Sequence, residues 1–252
     1  MKSVLKRSLL SFIIIPGNFY LVNAQIDLSK YEVGLSGGVF VYQGDLTPQA
    51  LGSYKTMKPQ LALHIYRIIS PAFSVRFNIN RGKLYGNDAK YNEPDWRQQR
   101  NFNFTTPVTE LSLQGVWSFL QACSLRFSPY IFAGAGFSFF KIKRDWSNLD
   151  PAVFGDGSDV QAGLVIDAAR STPRIIPVVP VGAGVRYALN DRFSLIGETS
   201  YRLSFTDYLD GFSKAANPDK NDHYLSHSIG VIYSFHKKGN GNNNLGCPVV
   251  RN

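Results

Sequence analysis

The chain has 252 residues, a net charge of +9, 18 % charged and 13 % aromatic residues, 22 glycines and only two cysteines. Strand and turn formers outweigh the Ala, Leu, Glu and Lys that build helices, and a mean hydropathy of −0.12 excludes a bundle of membrane helices. The charges are scattered with mixed signs, which speaks against a nucleic-acid surface, and neither cysteine has a partner at the spacing of a metal or thioredoxin-like motif.

The first element is a secretory signal. Lys2, Lys6 and Arg7 precede the apolar run 9–15, and Val22-Asn23-Ala24 supplies the −3 and −1 positions of a cleavage site before Gln25. The run is too short to span a bilayer as a helix, and Pro16-Gly17 interrupts it. No cysteine follows the cleavage site, so a lipoprotein is not expected.

From Tyr31 onward apolar residues recur at every second position, the period of a strand. Phe73, Val75, Phe77 and Ile79 alternate with Ser74, Arg76, Asn78 and Asn80 in the clearest case. The pattern predicts eight strands, at 31–43, 58–67, 72–85, 107–120, 128–142, 175–189, 192–205 and 224–236. The sixth contains Pro177 and Pro180, so its first half is expected to be irregular or to stand above the sheet. Short turns (68–71, 121–127, 190–191) alternate strictly with long polar segments (44–57, 86–106, 143–174, 206–223). Bacterial outer-membrane barrels alternate in this way, with short turns in the periplasm and long loops outside.

The expected fold class is therefore all-β, an eight-stranded antiparallel transmembrane β-barrel. Its division is signal peptide 1–24, outer-membrane barrel 25–236 and flexible periplasmic tail 237–252. A soluble carrier barrel would show the same alternation with its faces reversed. Side-chain size favours the membrane. The polar face is rich in small residues such as Gly34, Ser36, Gly38, Ser112, Gly182 and Ser226, which suit a narrow lumen. The other face is bulky and ends in Tyr31, Trp117, Phe139, Tyr201 and Phe235, as a lipid-facing band with aromatic girdles should.

On the inward parity lie Glu32, Arg76, Glu110, Arg186, Glu198 and Arg202. An unpaired charge in such an interior costs several kcal/mol, so they are expected to pair. A structural salt-bridge plug is preferred to a selectivity filter or proton path, because eight strands leave no aqueous channel. His227 is read as the histidine of the lipid-facing parity near the outer rim. It lacks the nucleophile and carboxylate of a lipid deacylase, and interfacial water is expected to satisfy it. Gly134-Ala135-Gly136 and Gly182-Ala183-Gly184 lack the context of a phosphate loop. Asp207, Asp210, Asp219 and Asp222 match no calcium-loop spacing and read as a solvated loop. No catalytic, cofactor or metal residue is assigned. Cys123, in the second short turn, and Cys247, in the tail, both fall on the periplasmic side. There a disulfide strapping the tail to the barrel floor is weighed against two unpaired thiols. Arg126, Lys237 and Lys238 share that surface as candidate contact residues.

Several segments are more specific than the period. Val41-Tyr42-Gln43-Gly44-Asp45-Leu46, Gly82-Lys83-Leu84-Tyr85-Gly86-Asn87-Asp88-Ala89, Arg100-Asn101-Phe102 with Glu110 following, Pro129-Tyr130-Ile131-Phe132-Ala133-Gly134 and Thr206-Asp207-Tyr208-Leu209-Asp210 occur in that order. Together they resemble the PorG-like family of outer-membrane barrels over about residues 31–235. The resemblance implies a non-enzymatic part of the type IX secretion apparatus. Such a barrel sits among outer-membrane lipids and meets a ring-forming lipoprotein and its partner from the periplasmic side. No nucleic acid, cofactor or small-molecule substrate is implied. The alternative is a structural or adhesive barrel binding external ligands through its long loops.

Overall fold

Branched and aromatic side chains at every second position favour an extended backbone. They do so along eight long strands in the computed structural model, which describes residues 27–120, 126–217 and 221–235. The expected signal peptide, the expected tail with Lys237 and Lys238, and both Cys123 and Cys247 lie outside the described residues. The strands are β1 (Tyr31–Gln43), β2 (Lys58–Ile68), β3 (Phe73–Asn87), β4 (Asn103–Ser118), β5 (Phe127–Phe140), a short β6 (Lys143–Asp145), β7 (Ile175–Ala188), β8 (Phe193–Ser204) and β9 (His223–Ser234). Two helices, α1 (Trp96–Arg100) and α2 (Asp159–Ala169), lie in the long connections.

Every long strand pairs antiparallel with both neighbours. The β1–β9 and β3–β4 pairings close the eight long strands into a barrel, so the wall itself has no open edge. One row of facing residues runs Ser234–Glu32–Tyr66–Arg76–Gln114–Gly134 across six strands. A one-residue slip anywhere along it would turn a polar inward face to the outside. That inward face buries Arg76, Glu110, Gln114 and Asn78, while Ile229 (77 % exposed), Leu113 and Phe137 stand bare on the outside. A polar interior beneath an apolar exterior inverts a soluble barrel and is stable only where hydrocarbon covers the outside. At the short-turn end, Trp117 stacks near Phe119, and Phe193, Tyr233 and Phe235 form a run of ring contacts.

Two sequence expectations need correction. β7 is a strand along its whole length, and Pro177 faces Phe137 within the ladder. The irregularity is confined to a gap of two residues in the β5–β7 pairing, at Val179 and Pro180, while β7–β8 continues through Pro180↔Arg202. A closed barrel tolerates the missing donor because the other edge of the strand remains paired. The long connections, moreover, are not simply polar loops. They fold into a cap whose core is Phe40, Tyr42, Leu46, Leu84, Phe102, Phe104, Leu164, Leu209 and Phe212. Tyr42 meets Phe104 edge-on at 4.7 Å, and Phe102 stacks on Phe212 at 4.4 Å. The β3–β4 hairpin rises into this cap as far as Asn87↔Asn103, and β6 extends it from the other side through Asn103↔Asp145.

Candidate functional site

Inward parity and register bring the six charged lumen residues together as three ion pairs. Nearest the short turns, Arg186 donates from both terminal nitrogens to the two Glu32 oxygens at 2.7 Å each, and Ser234 Oγ donates to Glu32 at 2.6 Å. In the middle, Arg76 pairs with Glu198. Its Nε also donates to Gln114 Oε1 at 2.8 Å and its Nη1 to Tyr66 OH at 3.0 Å. Tyr130 OH donates to the same Glu198 oxygen at 2.6 Å, and the guanidinium lies 4.3 Å from the Phe132 ring centre. Above it, Arg202 Nε donates to Glu110 Oε2 at 3.0 Å, and Tyr224 OH donates to that oxygen at 3.0 Å.

Charged hydrogen bonds of this kind offset the desolvation of both partners, whereas one partner alone would be stranded. Between the middle and upper pairs lies a polar cavity lined by Gln60, His64, Asn78, Asn80 and Gln114, with room for about one water. Ion pairs therefore cross the lumen at three successive levels.

A second cluster sits where the cap meets the barrel, and the sequence reading missed it. Asp210 and Asp222 are buried rather than solvated, and each places one carboxylate oxygen on Tyr42 OH, at 2.8 and 2.7 Å. Phe212 N donates to the other Asp210 oxygen at 2.8 Å and Leu209 N to the other Asp222 oxygen at 3.0 Å. Burial, with Asp45 and Asp207 close by, pushes both carboxyls well above the ordinary range. Asp219 lies outside the described residues.

Two further carboxylates organise the cap. Asp88 takes Arg97 at 2.9 Å and Arg100 at 2.6 Å. Asp167 accepts the backbone N–H groups of Ser213, Lys214 and Ala215 at 3.0–3.2 Å, tying α2 to the fourth connection. Among the described residues no group of three or more His, Cys, Asp or Glu is placed to hold a metal ion.

His227 points outward, but its partners are protein hydroxyls rather than interfacial water. Nδ1 lies 3.0 Å from Thr199 Oγ1, and Nε2 lies 2.8 Å from Tyr54 OH, which comes from the first long connection. His223 shares the outward parity of His227 and packs by Tyr201, so the outward rim carries two histidines rather than one. Arg126 is exposed at the short-turn end, where its carbonyl accepts from Ala188 N.

The comparisons with known proteins add a family and a set of similar structures. A search of the curated proteins returns no match. Among solved structures, Neisserial surface protein A is similar at 17 % identity and a TM-score of 0.43, covering 82 % of this chain and 97 % of that one. Ail, the attachment invasion locus protein of Yersinia pestis, is similar at 12 % identity and a TM-score of 0.43, over 81 % and 96 %. A major outer membrane protein from Thermus thermophilus is similar at 12 % identity and a TM-score of 0.44, over 81 % and 98 %. Residues 6–239 match the family described as "Domain of unknown function (DUF6089)", and the chain belongs to that family.

Proposed function

We propose that this barrel is a non-enzymatic outer-membrane component of the type IX protein secretion system, anchoring periplasmic ring components to the membrane. The observation that carries the anchoring part is the sealed interior. Three stacked ion pairs and a folded cap leave no route for a solute, so what the molecule offers to partners is its surface. The assignment to the secretion apparatus rests on the ordered motifs that resemble the PorG-like family. The short turns, with Arg126, and the tail with Lys237 and Lys238 are then the surface for the ring-forming lipoprotein and its partner. A cleaved signal peptide at 1–24 and an outer-membrane location belong to the same reading.

A second reading has its own support. The long connections are folded rather than loose, which gives external ligands a defined surface and fits an adhesive or structural barrel.

The experiment is the protein content of the culture medium from a strain lacking this chain. Proteins bearing carboxy-terminal sorting domains should disappear from the medium and accumulate in the periplasm. Unchanged media would sink the secretion reading. If ligand binding by the cells then falls when the long connections are exchanged, the adhesive reading takes its place.

A further inference from the structure

The words Tyr42-Gln43-Gly44-Asp45 and Thr206-Asp207-Tyr208-Leu209-Asp210 lie far apart in the chain and meet at one buried point. There the Tyr42 phenol oxygen contacts Asp210 Oδ2 at 2.8 Å and Asp222 Oδ1 at 2.7 Å. A phenol has one hydrogen to donate. With both carboxylates ionised, one of the two contacts would set a negative oxygen against a lone pair, in a site where Tyr42, Asp210 and Asp222 are all buried. The arrangement closes only if one carboxyl keeps its proton and donates it to the phenol, while the phenol donates to the other.

Among the described residues no cation is placed to replace that proton. The neighbouring guanidiniums are committed: Arg97 and Arg100 to Asp88, Arg202 to Glu110, and Arg144 to the carbonyls of Gly211 and Asp167. The remaining charges that face the pair among the described residues are acidic. Asp45 comes from the first long connection and Asp207 from the fourth, while Lys214 acts on Asp207. His223, next to Asp222, uses its Nδ1 to accept from Ser204 N at 3.3 Å. Space at the point is also fixed by Gly44, where a methyl group would fall 1.9 Å from Asp222 Oδ1 and 2.0 Å from the phenol oxygen.

We infer that Tyr42, Asp210 and Asp222 form a proton-sharing clasp that fastens the fourth long connection to the barrel rim and releases it as the surrounding medium becomes alkaline. The released segment is 205–217, whose backbone the two carboxylates otherwise hold through Phe212 N and Leu209 N. Loss of the shared proton leaves two carboxylates on one phenol, and Leu209 and Phe212 leave the cap core with the segment.

The test is hydrogen–deuterium exchange of the full chain folded in detergent, between about pH 5 and about pH 9 and corrected for the intrinsic chemical rate. Amides of 205–217 in the wild type should exchange at least about tenfold faster at the alkaline end, while those of β8 and β9 stay protected. In Asp222→Asn the amide nitrogen donates permanently to the phenol, so the same segment should remain protected throughout. Asp210→Asn carries the same expectation should the first variant fold poorly. The wild type gives a second readout absent from the variants, a carboxylic-acid carbonyl stretch that persists above the range in which Asp207 titrates and vanishes on alkaline opening. Protection that does not change with pH, variants that open at the same pH as the wild type, or opening governed by EDTA and calcium rather than by pH would each overturn the inference.

Discussion

Arg76 is fully buried and meets Glu198, Gln114 and Tyr66 at once, so its removal has effects beyond one lost contact. Arg76→Ala strands Glu198 in the lumen and should cost about 3–5 kcal/mol, read as a lower denaturation midpoint of the detergent-folded barrel. Arg76→Met combined with Glu198→Gln removes both charges and should cost distinctly less; equal losses would mean that the pair is not the source of the effect. Asp207 allows a prediction by pH. Burial pushes its carboxyl from the ordinary 3.8 up to about 7, with Asp45 and Asp167 adding to the rise and the Lys214 charge opposing it. A carboxyl whose folded value is raised contributes stability that is complete below about pH 4 and is lost as pH rises through the folded value. Cap stability should therefore fall between about pH 4 and about pH 7, and Asp207→Asn should flatten that part of the profile in a thermal-melt series.

At the scale of elements, the strands were legible and the cap was not. Alternation alone placed Glu32, Arg76, Glu110, Arg186, Glu198 and Arg202 on one face, because parity is local. Which acid meets which base depends on register across strands up to 154 residues apart, as for Glu32 and Arg186, and no local pattern carries that. The Asp-rich fourth connection reads as solvated because its partner, Tyr42, lies 168 residues from Asp210. α2 did have a local signal. Ser158 followed by Gln161 is a capping-box sequence, and Ser158 Oγ accepts from Gln161 N at 3.2 Å. Gly163 in mid-helix argues against a helix by propensity, yet it is where α2 touches the fourth connection. A methyl group there would lie 2.3 Å from the Lys214 carbonyl oxygen. Gly163→Ala should therefore push α2 off its seat at about 1–3 kcal/mol, the cost of overpacking a filled contact. Limited proteolysis should then cut within 141–174 sooner than in the wild type, while the barrel keeps its heat-modifiable mobility on gels. Unchanged cleavage would mean that α2 is not held through that contact.

For the whole molecule, closure at two levels decides what the barrel can transmit. The lumen is crossed by three ion pairs whose partners come from strands on different sides of the wall, so opening it means breaking buried charged contacts together. The mouth is covered by an apolar core in which Leu46, Phe102, Leu209 and Phe212 are fully buried. Releasing the fourth connection would uncover the mouth and leave the ion pairs in place. Conductance and cap opening should accordingly be independent. The purified barrel in a planar bilayer should give no stable current steps at acid or alkaline pH, even where amide exchange in 205–217 has become fast. Persistent steps at either pH would show that the ion pairs do not fill the lumen, and would remove the main support for reading the barrel as an anchor. Steps confined to alkaline pH would mean that the cap, rather than the lumen, is what seals the barrel.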